Sequence, residues 1–185
     1  MKKDSIEQAA IGLFATCGLA GTTIKDIASR AGVTEGALYR HYKGKNEMAW
    51  ALYCREVRRF TEAFAPVLAT DDAPLEERML QAVKFIYQYY NDQPDHLVFA
   101  LLTRQSFPQQ SLLDDQINPD HLVTLFIKRE IARGNARKGN PDLMMAMLRG
   151  IVLEPILMHR YGRLQQSPIR LAHQVAAACA RVLKE

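Results

Sequence analysis

The chain has 185 residues, 48% of them hydrophobic, which is enough to bury a core and excludes disorder as the default state. The formal charge of +4 is unevenly placed: residues 1–60 hold ten Lys or Arg and six Asp or Glu, and the rest hold fourteen of each. A positive first third suits a polyanionic partner.

Apolar residues recur at spacings of three and four, without strand-like alternation, so an all-α chain is predicted. Ile6, Ala10, Leu13, Phe14 and Cys17 line one face of a first helix, with Asp4 placed to cap it and Glu7 as the reciprocal partner. Gly18 ends it. Thr23 and Asp26 repeat the capping pattern for a second helix at about 24–31, which Gly32 stops. Thr34 caps a third, about 35–42, and a fourth is expected from Lys45 to Phe64, ending before Pro66. Asn118-Pro119, Asn140-Pro141 and Ser167-Pro168 each put a capping side chain before a proline, which suits the first helical position. Asp72-Ala73-Pro74 and Gln93-Pro94 are weaker versions. The expected later helices are about 74–90, 94–106, 119–134, 141–160 and 168–184, making about nine, with a kink at Pro155 in the eighth.

Three widely spaced cysteines, Cys17, Cys54 and Cys179, form no CxxC and point to a reducing compartment. No apolar run approaches the ~18–20 residues of a membrane span, and MKKDSIEQAA lacks the apolar core of a signal peptide. The expectation is a soluble cytoplasmic protein without a membrane partner.

Residues 22–47 read TTIKDIASRAGVTEGALYRHYKGKNE: two short helices around a tight turn at Gly32-Val33. The second is about two turns long and buries only Ala37, Leu38 and Tyr42, leaving Glu35, Tyr39, Arg40 and His41 outward. So small an apolar face contributes little to a core; such a helix is made for presentation, and the DNA major groove accepts one helix.

The segment resembles the N-terminal domain of TetR-family repressors. The matching residues are the Ile6–Phe14 helix, Gly21-Thr22-Thr23-Ile24, Asp26-Ile27-Ala28, Ala31-Gly32-Val33, Gly36, Leu38-Tyr39, His41-Tyr42 and Lys45. The resemblance implies a DNA-binding domain at 1–46 and a helical ligand-sensing and dimerisation domain at 47–185. It implies phosphate contacts for Thr22 or Thr23, Thr34, Tyr39, His41 and Lys45, with Arg40 beside them, and base edges for Glu35, Gly36 and Ala37. Thr34 could instead be a cap alone, Tyr39 could merely lie beside the fourth helix, and His41 could be an inert surface histidine. Glu35 either accepts from cytosine N4 or favours the helix dipole without touching DNA.

For the rear domain, the resemblance implies a homodimer whose reading helices enter successive grooves of double-stranded operator DNA, and a small-molecule effector that releases it. Aromatic and methionine side chains can line an adaptable pocket; the candidates are Phe85, Tyr89, Phe99, Leu102, Phe126 and Met147, all equally suited to core packing. Few charges share these faces, which suggests a largely apolar effector, though Arg104 could pair an anionic group. The dimer interface is expected on the last two helices, through Gly150, Ile151, Leu153, Leu171, Val175, Ala178, Cys179 and Val182, unless those faces bury internally.

Two rivals are an enzyme and a helical protein-interaction module. The histidines His41, His96, His121, His159 and His173 form no HExxH or ExxH pattern, so neither catalysis, a metal nor a cofactor is expected. The positive first third disfavours the interaction module.

Overall fold

The computed structural model describes residues 2–70, 73–103, 106–107 and 118–185; Arg104 and Asp72 lie outside them. The described residues hold nine α-helices: α1 (Lys2–Cys17), α2 (Ile24–Ala31), α3 (Glu35–Tyr39), α4 (Lys45–Ala69), α5 (Leu75–Asp92), α6 (Pro94–Leu102), α7 (Pro119–Ala132), α8 (Pro141–Arg160) and α9 (Pro168–Lys184). None is long and apolar enough to cross a membrane.

Local signals place most helix starts. The side chains of Asn118 and Asn140 accept from the backbone N–H of Asp120 at 3.1 Å and Asp142 at 2.9 Å, each with proline next in the chain. Three expectations are corrected. Helix α1 already begins at Lys2, so Asp4 lies within its first turn, and Glu7 faces inward instead of closing a capping box. Pro66 does not stop α4, which runs to Ala69 because Phe64 and Leu68 are buried and hold its last turns. Proline leaves only the carbonyl of Glu62 without its helical donor, and Glu62 is exposed to water. Helix α3 ends at Tyr39 and α6 at Leu102, both earlier than expected.

The chain forms two compact units, Met1–Phe60 with Gln93–Ile117, and Thr61–Asp92 with Asn118–Glu185. In the first, α1 packs on α2 and α6, and α2 on α3. Ile6, Phe14, Ile27, Leu38, Leu52, Tyr53 and Phe99 are fully buried in it. The ring of Phe99 stacks on Phe14 at 5.7 Å and meets Tyr53 edge-on at 6.0 Å. Leu97 to Leu101 are all buried, as expected of a helix apolar on every side.

In the second unit, α5 and α8 pack on α9, and α7 on α8. Ala172, Ala176 and Ala180 are buried at four-residue spacing along one face of α9. Tyr87 donates its phenol to the carbonyl of Val152 at 3.1 Å. Arg78, inside this core, donates to Glu130 at 2.9 Å and lies over the ring of Phe126, 4.8 Å from its centroid. Asn135 donates to the same Glu130 oxygen at 3.0 Å. Cys179 is buried here and its thiol is pushed up to about 12 by desolvation, while Cys54 is half-buried and Cys17 exposed.

Candidate nucleic-acid interface

Helix α2 and the turn that leads from it to α3 are built by their own residues. Thr23 closes a capping box with Asp26: its Oγ accepts from the Asp26 N–H at 3.1 Å, and its own N–H donates to the Asp26 carboxylate at 2.9 Å. The Thr23 hydroxyl and backbone N–H hold Asp26 below the ordinary carboxylate range. Gly32 ends α2 at φ 66, a left-handed conformation that a side chain would strain. Val33 donates to the Ala28 carbonyl at 3.0 Å, and Thr34 opens α3 through its carbonyl, which accepts from Ala37 at 2.9 Å. The Thr34 side chain makes no cap hydrogen bond.

Helix α3 buries Leu38 alone. Tyr39 is 56% exposed, and Glu35, Gly36, Arg40 and His41 are exposed with it, while Ala37 is half-buried. A Cβ on Gly36 would meet nothing closer than the Thr34 hydroxyl at 4.0 Å, so the space outside it is open. Exposed Lys25 and Lys43 flank the motif; their charge was the only sequence signal for them.

Two expected phosphate contacts have other partners. Thr22 is 1% exposed and its hydroxyl donates to the Gly18 carbonyl at 2.8 Å, so it is withdrawn from the surface. Lys45 is half-buried and donates to the carbonyls of Leu19 and Thr22, both at 2.7 Å, locking the turn between α1 and α2. Below α3, Tyr42 is half-buried and donates its phenol to Glu7 at 2.5 Å; Arg55 pairs with the other Glu7 oxygen. Burial pulls Glu7 upward, but the hydrogen bonds from Tyr42 and Arg55 outweigh it and leave the carboxyl below its ordinary value. Burial and the Glu7 carboxylate push the Tyr42 phenol upward.

The family model of bacterial regulatory proteins of the tetR family matches residues 6–52. Residues 6–52 thus match a TetR-type N-terminal domain. Among curated TetR-type relatives, the transcriptional repressor KstR2 of Mycolicibacterium smegmatis is 34% identical over 76 residues, 41% of this chain and 37% of KstR2. The chain therefore matches little more than a third of that relative's length. Two solved structures share the fold along nearly the whole chain. FadR of Bacillus subtilis, in complex with stearoyl-CoA, has a TM-score of 0.75 at 18% identity, covering 98% of this chain and 99% of FadR. The fatty acid degradation regulator FadR of Bacillus halodurans has a TM-score of 0.74 at 18% identity, covering 96% and 97%.

The candidates in the rear part of the chain scatter. Phe85 stacks on Phe64 at 5.5 Å and neighbours Tyr89 at 6.1 Å. Phe126 is buried beneath Arg78 and Arg129. Phe99 packs the core of the first unit, where Leu102 is half-buried, and Met147 is exposed on α8. Of the expected dimer residues, Leu153, Val175 and Cys179 are buried within the second unit itself, which removes their side chains from any outer face. Gly150 is exposed; Ile151, Leu171, Ala178 and Val182 are half-buried. The large apolar side chains exposed on α8 are Leu143, Met147 and Met158, and Tyr161 just after it is exposed as well.

Proposed function

We propose that this protein is a sequence-specific DNA-binding transcriptional repressor of the bacterial cytoplasm, acting as a homodimer and released from its operator by a small, largely apolar effector. The observation that carries it is α3: a short helix with one buried residue, exposing Glu35, Gly36 and Tyr39, with Arg40 and His41 exposed just after it, following a turn fixed by Gly32. Thr23, Thr34, Tyr39, Arg40 and His41 contact phosphates; Glu35, Gly36 and Ala37 meet base edges. These residues lie within 1–46, with effector binding and dimerisation in 47–185. The compact unit supporting the reading residues is larger, taking in the first part of α4 and α6.

Pairing must place two reading helices ~34–36 Å apart to enter successive grooves. The exposed apolar side chains of α8 support a face for it. An apolar effector is supported by the Phe64–Phe85–Tyr89 cluster, beside a groove of about 670 Å³ lined by Val67, Lys84, Phe85 and Ile169 among others. The stearoyl-CoA held by FadR of Bacillus subtilis supports a molecule with a long acyl chain. Release needs only ~1–3 kcal/mol of coupling between the two sites.

The test is a gel shift with fragments of the gene's own upstream region, repeated over a salt series. A sequence-selective shift that weakens with salt is expected; no selective shift with any upstream fragment overturns the proposal.

A further inference from the structure

Beneath the reading helix, polar side chains form one continuous chain around the buried carboxylates of Glu7 and Glu56, and the proposed DNA contacts do not use it. It starts on α6, where His96 meets Glu56 of α4 through Nδ1 at 2.8 Å and Gln8 of α1 through Nε2 at 3.0 Å. Glu56 is 2% exposed, and its other oxygen accepts from Nε of Arg55 at 3.1 Å. Arg55 then pairs through its NH1 with Glu7 of α1, whose remaining oxygen accepts from the Tyr42 phenol at 2.5 Å. The backbone N–H of Tyr42 donates to the carbonyl of Leu38 at 3.0 Å, and Leu38 is the residue by which α3 is anchored. The chain thus runs from α6 to the end of the reading helix, with Arg55 bridging two buried carboxylates.

Buried carboxylates tolerate few arrangements. Each must keep its donors or carry an unsatisfied charge, so displacing one member forces the next to follow. Helix α6 also meets α1 at Gly12, where a Cβ would lie 3.2 Å from the Arg30 side chain of α2 and 3.4 Å from the carboxylate of Asp95.

We infer that His96 is a positioning residue for the reading helix: acting through Glu56, Arg55 and Glu7, it sets where Tyr42 holds the end of α3. Its consequence for operator affinity rests on the proposed function; the positioning does not, and it can be tested without DNA.

The measurement is amide hydrogen exchange and amide chemical shift at residues 35–42 in the full-length, DNA-free protein. Tyr42→Phe should raise exchange at these amides about tenfold, as local opening becomes easier. His96→Ala should raise it several-fold at the same amides, yet add nothing in the Tyr42→Phe background, whereas independent sites would add. His96→Asn, which keeps a donor toward Glu56, should restore the native pattern. Unchanged α3 amides in His96→Ala, or an effect that adds in full to that of Tyr42→Phe, overturns the inference. Should His96→Ala loosen α6, Arg55→Gln makes the same cut at an exposed residue between the two carboxylates, and silence at α3 there overturns it equally. A coupled pattern at α3 without any selective gel shift would count against the proposed function alone.

Discussion

Lys45 donates its ammonium to the backbone carbonyl of Thr22 at 2.7 Å, and to that of Leu19 at the same distance. A residue whose place in the sequence suggests a phosphate contact is thereby a clamp on the turn before α2. Lys45→Met should cost on the order of 2 kcal/mol of stability, because it removes two hydrogen bonds from a charged donor. Chemical denaturation measures this; an unchanged midpoint would show that the clamp contributes nothing.

Tyr39 should act on all DNA alike. Its phenol is exposed, and in the proposed function it meets backbone phosphates, so Tyr39→Ala should weaken specific and non-specific fragments by a similar factor, about three- to tenfold. Ala37→Glu should instead erase selectivity while leaving the fold intact. A selectivity ratio changed by Tyr39→Ala, or kept by Ala37→Glu, reverses these roles.

Acid should loosen the DNA-binding unit through two carboxylates. Glu56, like Glu7, is drawn upward by burial and then held below the ordinary 4.5 by hydrogen bonds and charge, from His96 and Arg55. A folded value below the unfolded one contributes stability above about pH 4.5, lost as pH falls through the folded value. The unfolding midpoint should therefore fall more steeply below pH 4.5 in the native protein than in Glu7→Gln. Parallel profiles would exclude Glu7 as a source of the acid sensitivity.

Arg78 and Glu130 are both buried, so each depends on the other. Glu130→Gln should destabilise by about 3–5 kcal/mol, because it removes the buried carboxylate charge that balances the Arg78 guanidinium, while Arg78→Met combined with Glu130→Leu should recover much of the loss. A double-mutant denaturation cycle reads the coupling. Simple additivity would mean that the pair does not act as one.

On α8, Leu143→Glu with Met147→Glu places charge among the exposed apolar side chains. Sedimentation should show a monomer, with operator affinity reduced at least about tenfold once two sites no longer bind together. A dimer that survives both changes would move the interface elsewhere.

Signals confined to a few residues were legible in the sequence. The Thr23–Asp26 box, the Gly32 stop and the Asn-Pro starts at 118 and 140 are local chemistry, and the structure contains them. Partnerships across the chain were not. Tyr42 and Glu7 are 35 positions apart and His96 and Gln8 are 88 apart, and no spacing rule joins them. Thr22 reads as a surface hydroxyl until the fold turns it toward Gly18. Periodicity reveals that Leu153, Val175 and Cys179 lie on apolar faces without saying what covers them; here it is their own unit. At Pro66 a local rule lost to packing, since the burial of Phe64 and Leu68 outweighs one missing hydrogen bond.

The uneven setting of the three thiols makes the protein its own labelling target. The thiolate is the reactive form, and Cys179 is both enclosed and held protonated at neutral pH, while burial also pushes Cys54 upward. A maleimide dye or spin label should thus go first to Cys17, at the end of α1, with no cysteine engineered in. In a paired protein, two such labels form a molecular ruler beside the reading heads, and an effector that drives them apart would announce itself as a change in distance before any gene is known.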